Sequence, residues 1–268
     1  KTSFTIANIP IKVEPRLVAG IEKFQTILNT AKAKDINESD TVVIVTDMLH
    51  EIFGFDKYSE ITSEFAIKKT WCDLAIKIED KTKFLIEVKA IGLPPKDDHI
   101  KQAVDYGSNH GVDWVILTNG IRWRVFKIIY GKPIANELVY EFDFLLLNSK
   151  KQTDLCLLYY VSKESLGKSV LEDFHIQKQT LSKFFIGQLL LSEMVLEAVK
   201  KTVRKMTPAA KIEVEDLKDV IANEVLKREI LEGEKADEAK KKIAKFLKGL
   251  STAPKPAKPV AEPNGQEP

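Results

Sequence analysis

The sequence has little with which to build a cross-linked or zinc-held fold: it contains two cysteines and four histidines in 268 residues. Cys72 and Cys156 cannot make a disulfide framework, and they fit a reducing cytoplasm. His50, His99, His110 and His175 show no metal-ligand spacing, and two cysteines cannot complete a structural zinc site without them. No Gly-x-Ser-x-Gly elbow is present, so that serine-hydrolase signature is missing. No apolar run approaches the ~18 residues of a membrane span and no signal peptide opens the chain, so a soluble, cytoplasmic protein without membrane contact is expected. A large excess of one charge is lacking too: 41 Lys and Arg stand against 39 Asp and Glu, a formal net charge of +2. Any nucleic-acid surface must then be a local patch, not a global field.

A glycine-rich phosphate loop is also absent. Ser162-Lys163-Glu164-Ser165-Leu166-Gly167-Lys168-Ser169 nearly spells one, but Ser162 replaces the first required glycine and no strand-like apolar run leads into it. Without glycines to present backbone N–H groups the segment cannot wrap a phosphate, and no ATP binding is expected.

What the chain does have is a chemically loaded hairpin. Residues 73–79 and 83–90 are β-rich runs separated by the polar turn Asp80-Lys81-Thr82. If Glu79 pairs with Lys83, Asp73 falls opposite Lys89 and Ala75 opposite Glu87. Opposed residues share a face, so two carboxylates and an ammonium converge; a one-residue slip would turn Asp73 away. Hard carboxylates at this separation suit Mg²⁺, with Mn²⁺ as a substitute. A neighbouring lysine can orient the attacking water and offset phosphate charge. The plainer reading is a surface hairpin with exposed Glu–Lys pairs.

Asp73, thirteen residues, then Glu87-Val88-Lys89 resembles the active-site signature of the PD-(D/E)XK nuclease superfamily, and Gln102-x-x-x-Tyr106 its auxiliary motif. More closely, Glu38-Ser39-Asp40-Thr41, Leu49 to Asp56, Leu85 to Lys89 and Trp114 to Gly120 resemble the N-terminal nuclease domain of type I restriction enzyme R subunits. The resemblance spans residues 35–148; Cys72 stands where the superfamily name has Pro. It implies a metal held by Asp73, Glu87 and the Val88 carbonyl, with Glu38 at its edge. Lys89, Gln102 and Tyr106 would act on water and phosphate. Glu38 has a second explanation, because negative charge is favourable in the first turn of a helix. Gln102 and Tyr106, four apart on one helix face, can equally be surface polarity.

The remaining pattern supports an α/β class: a restriction-endonuclease-like mixed sheet flanked by helices, then an α-helical C-terminal region. Helical spacing runs from Pro15 to about Lys34, and a second helix starts at Asn37 or Ser39. Tyr58–Ile67 reads as a strand, with Glu64 its notable acid. A helix reaches His110 and stops at Gly111. Residues 113–118 and 121–130 form a hairpin joined by Asn119-Gly120, and Glu137–Leu146 a closing strand. Arg122 and Arg124 share one strand face and could touch a phosphodiester backbone or simply be solvated. Long helices are expected over Gln179–Arg204, Glu213–Glu232 and Lys235–Leu250. The domain expectation is an N-terminal helix (1–34), a nuclease-like domain (35–148), a helical region (149–250) and a disordered tail (251–268).

The function expected is a Mg²⁺-dependent DNA endonuclease. The alternative is a non-catalytic module of the same fold that binds nucleic acid or a partner. Beside DNA, the partners left open are a second copy of the chain, or a motor or specificity subunit in trans, since no helicase motor is included.

Overall fold

The computed structural model describes residues 7–67 and 70–252, with side chains for 7–63 and 72–248. The chain forms two compact units, divided between His175 and Ile176.

In the first unit, α1 (Glu14–Ala33) and α2 (Glu38–Glu51) precede six strands: β1 (Ile61–Ile67), β2 (Thr70–Ile78), β3 (Lys81–Val88), β4 (Trp114–Thr118), β5 (Arg122–Ile129) and β6 (Ala135–Asp143). A 3-10 turn and α3 (Lys101–His110) lie between β3 and β4. The sheet runs in sequence order, with only β3 and β4 parallel. A parallel pair needs a crossover, and α3 supplies it. After β6 come α4 (Gln152–Tyr159), α5 (Lys163–Leu166) and α6 (Val170–Thr180).

Alternation along β3 sorts the core into two layers. Phe84, Ile86 and Val88 join Leu17, Ile21, Phe24 and Leu28 of α1 and Val45 and Leu49 of α2. Leu85 joins Ala103 and Val104 of α3 on the other face. Pro15 stands in the first turn of α1, where its missing N–H leaves no bond unmade. Asn37 caps α2, its side chain accepting from the Asp40 N–H at 2.9 Å. Gly111 ends α3 at φ 70°, a left-handed position that costs glycine least. Arg16 ties three elements together. It donates to both carboxylate oxygens of Glu164, at 2.8 and 2.7 Å, and to the Ile52 carbonyl at 3.0 Å. The helical residues up to His175 belong to this unit, and Leu155, Leu158 and Tyr159 are buried in its core.

The hairpin differs from the expected register. Its turn is Glu79-Asp80, both with positive φ (50° and 59°), and Ile78 pairs with Lys81. A two-residue loop with positive φ at both positions matches the strand twist, which a three-residue loop here would not improve. A bulge at Ile76/Lys77 then sets Leu74 opposite Ile86. Continued by one residue, that register brings Asp73 to Glu87 rather than to Lys89.

Other boundaries shift for local reasons. Thr118 pairs with Trp123, so Gly120 (φ 82°) and Ile121 form the tip of the β4–β5 turn, one residue later than expected. β6 stops at Asp143, whose side chain accepts from the Leu145 N–H at 2.9 Å and starts a 3-10 turn.

In the second unit the long helix expected over Gln179–Arg204 is interrupted. It becomes the end of α6, α7 (Lys183–Leu190) and α8 (Glu193–Met206). Ser182 Oγ accepts from the Phe185 N–H at 3.2 Å, and Ser192 Oγ donates to the Leu189 carbonyl at 2.6 Å. Serines thus satisfy the backbone at each break, which an apolar stripe alone does not reveal. The helix expected over Glu213–Glu232 divides into α9 (Val214–Val220), a π turn and α10 (Arg228–Leu231). Gly187 lets α10 approach α7, since a Cβ there would lie 2.5 Å from Ile230 Cγ2. α11 (Glu234–Thr252) packs on α7 and includes Ser251 and Thr252, which the expected tail had claimed. The rest of that tail, 253–268, and the side chain of Glu64 lie outside the described residues.

Candidate active site at the end of the third strand

The site forms where the pairing of β2 with β3 stops. The Lys89 N–H donates to the Thr118 carbonyl on β4 at 2.8 Å. Successive strand residues bond to opposite sides, so Val88 presents its N–H and carbonyl toward β2. The last regular pair on that side is Leu74–Ile86. The Val88 N–H finds a side chain instead of a ladder partner: Asp73 Oδ2 accepts it at 2.7 Å. Asp73 is thereby pinned against the backbone between Glu87 and Lys89.

Lys89 completes the cluster. Its Nζ donates to Glu87 Oε1 at 2.6 Å and lies 3.5 Å from Glu38 Oε2 at the start of α2. The Lys89 and Glu87 side chains are 15% and 17% exposed, whereas Glu38 is 47% exposed. Burial raises the Asp73 pKa above its ordinary value despite the Val88 N–H and the Lys89 charge. Burial raises that of Glu87 as well, against the Lys89 hydrogen bond. For Lys89 burial works downward, but the bond to Glu87 and the three surrounding carboxylates outweigh it and raise the pKa.

The donor set is made of hard oxygen. Among the described residues no group of three or more His, Cys, Asp and Glu is arranged to hold a metal ion. Two carboxylates and a backbone carbonyl suit Mg²⁺, which keeps several waters and takes one or two carboxylates, better than an ion needing a full protein cage.

α3 carries the other two expected residues, one turn apart. Gln102 is exposed in its first turn. Tyr106 is half-buried against the second core layer, stacked on His110 at 3.9 Å, and lines a cavity with Asp80–Lys83 at the hairpin turn. Arg122 and Arg124 share one strand face and both bond to Glu141, at 2.7 and 3.2 Å. Arg124 also engages Asp97 and reaches the Pro95 carbonyl at 3.4 Å, fixing the segment that leads into α3.

Asn119 is a supporting residue that sequence reasoning treated only as a turn former. Its Oδ1 accepts from the Ile121 and Arg122 N–H groups at 3.2 and 2.8 Å. Its Nδ2 donates to the Ile91 and Leu93 carbonyls at 2.9 and 3.1 Å. The segment that follows Lys89 is thus tied to the β4–β5 turn. The available signal was an Asn beside Gly at a strand end, which does not distinguish a turn from a buried tether.

With this arrangement established, comparison with known families finds one match, over part of the chain. Residues 40–142 match the family model described as type I restriction enzyme R protein N terminus. The PD-(D/E)XK superfamily is a coarser reading of that domain. The match includes Asp73, Glu87, Lys89, Gln102, Tyr106, Arg122 and Arg124, and begins two residues after Glu38. No curated protein and no solved structure matches the chain.

Proposed function

We propose that this chain is a divalent-metal-dependent DNA endonuclease. The observation that carries the reading is the bonded cluster Asp73–Val88–Glu87–Lys89, at the end of β3, inside the restriction-type domain match. Asp73 and Glu87, with the Val88 carbonyl, would hold Mg²⁺ or Mn²⁺, and Glu38 would sit at the edge through its contact with Lys89. A bound ion of this kind polarises a phosphate and lowers the pKa of its coordinated water. Asp73 needs one oxygen for the Val88 N–H, which fixes its orientation and leaves the other for a ligand. Lys89 must exchange its hydrogen bond with Glu87 for one to water or to a phosphate oxygen. Its charge then offsets negative charge developing on the phosphate. Gln102 would reach the substrate side of α3. Tyr106, one turn further along α3, would help it steady the nucleophile and the phosphate.

A non-catalytic binding module on the same fold is the second reading. It is favoured by the tight Lys89–Glu87 pair, which closes the site on itself, and by the lack of a three-ligand group among the described residues.

Plasmid nicking with Mg²⁺, Mn²⁺ or EDTA separates the two. The nuclease reading expects cleavage that EDTA abolishes. Asp73→Asn and Glu87→Gln should lose metal affinity and cleavage while retaining DNA binding. Lys89→Ala should retain the metal and lose about 10²–10³ in rate. Undiminished activity in Asp73→Asn and Lys89→Ala would assign cleavage to another site or another protein. A parent with no metal-dependent cleavage and Mg²⁺-independent affinity would favour the binding module.

A further inference from the structure

The second unit has a charge asymmetry of its own. Lys200, Lys201, Arg204 and Lys205 fall within two turns of α8. Glu213 neutralises one side: it accepts from Lys200 at 2.7 Å and from Arg204 at 3.1 Å. Arg204 also donates to the Ile212 carbonyl at 3.0 Å. Lys200 is held in this network and is only 13% exposed. Lys201 and Lys205 are different. Both are exposed, and among the described residues neither has an acidic partner.

Four residues apart, they stand one above the other on one helix face, about 6 Å apart along the axis. The helix dipole favours cations in a last turn and accounts for Arg204 and Lys205, but Lys201 lies a turn earlier. The neighbouring α9, which packs on α8, is acidic, with Glu215, Asp216 and Asp219, while α11 is the unit's other lysine-rich helix. A pair of lysines on one exposed helix face, beside the acidic α9, suits the backbone of a linear polyanion. Its ~6 Å spacing is close to two axial phosphate steps of ~3.4 Å along one DNA strand.

We infer that the Lys201–Lys205 face of α8 binds the phosphodiester backbone of double-stranded DNA. It would add sequence-independent affinity to the nuclease reading, on which the choice of DNA rests. Each phosphate neutralised releases condensed counterions, so the contact is legible in the salt dependence.

The test is binding of a fluorescent duplex to the full chain in EDTA, between about 50 and 200 mM salt. Lys201→Gln/Lys205→Gln is compared with the parent and with Lys227→Gln/Lys235→Gln, two exposed lysines elsewhere in the unit. Losing two phosphate contacts should make the slope of log K against log salt shallower by about 1.8. Across that fourfold range the parent then loses about 12-fold more affinity than the variant. The control pair should keep the parental slope, and all three proteins should melt alike.

An unchanged slope in the α8 variant, or an equal change in the control, overturns the inference. Cleavage measured in parallel with Mg²⁺ keeps the two readings apart. Parental cleavage with an unchanged slope removes the α8 contact and leaves the nuclease; a reduced slope without any cleavage does the reverse.

Discussion

Asn119→Ala tests whether the active-site strand end is held as described. The substitution removes four hydrogen bonds, two accepted from the β4–β5 turn and two donated to the segment after Lys89. Asn119 is only 6% exposed, so water does not readily replace its amide. A neutral hydrogen bond contributes about 1 kcal/mol net, and a buried group left unpaired costs about 1–3 kcal/mol. Allowing the turn to reopen partly to solvent, the loss should be roughly 2–4 kcal/mol. Urea unfolding followed by tryptophan fluorescence is the direct assay. All three tryptophans, Trp71, Trp114 and Trp123, precede His175, so the signal reports on the first unit. Trp123 itself donates to the Gly120 carbonyl at 2.8 Å, beside the substitution. With a slope of about 1–3 kcal/mol per molar urea, the midpoint should fall by roughly 1–2 M. Metal-dependent cleavage should fall as well at temperatures where the fold persists, because Ile91 and Leu93 no longer fix the path of the chain after Lys89. A midpoint shift below about 0.3 M, equivalent to well under 1 kcal/mol, would refute the tether.

Two other perturbations are read directly from the structure. Burial works to raise the Glu164 pKa, but the hydrogen bonds from Arg16 outweigh it and hold the carboxyl below its ordinary value. A depressed carboxylate pKa gives stability that is present above its unfolded value of 4.5 and lost as pH falls through the folded value. The melting difference between parent and Glu164→Gln should therefore be present at neutral pH and shrink as pH falls below 4.5. Both side chains are about one-third exposed, so about 1 kcal/mol or less is expected; a difference that grows in acid would contradict the assignment. Burial, and then the charges of Glu87 and Asp73, push the Cys72 thiol up to about 12. Cys72 should resist alkylation at pH 8 in the folded protein and react once urea unfolds it. Labelling in the native state would mean that β2 opens beside Asp73.

The fold was legible wherever period and punctuation agreed. Leu17, Ile21, Phe24 and Leu28 announce α1, Asn37 announces the start of α2, and Gly111 announces the end of α3. The apolar run Trp114–Leu117 is buried throughout, as a central strand should be. Reading failed where a polar side chain competes with regular bonding. Ser182 and Ser192 break a stripe that looks continuous, and Asp143 ends a strand early. The candidate site was legible in its members but not in its support. Asp73, Glu87 and Lys89 stand out as charges in β-rich runs. The four bonds of Asn119 and the use of Arg124 to hold the approach to α3 depend on neighbours far along the chain, which one sequence does not reveal.

The hairpin explains why an incorrect register still led to a cluster. A two-residue turn at Glu79-Asp80, carried along β2 and β3 without interruption, would place Asp73 opposite Ile86, on the wrong face. The bulge at Ile76/Lys77 inserts one residue, restores the parity and sets Leu74 opposite Ile86. The expected register and the observed one differ by two residues near the site, an even number, so the same side chains share a face in both. What changes is the neighbour: Asp73 is brought to Glu87, and its carboxylate fills the bonding position that β2 leaves open at Val88. A bulge in the hairpin thus sets which face Asp73 takes, and the end of the ladder determines what it can bind.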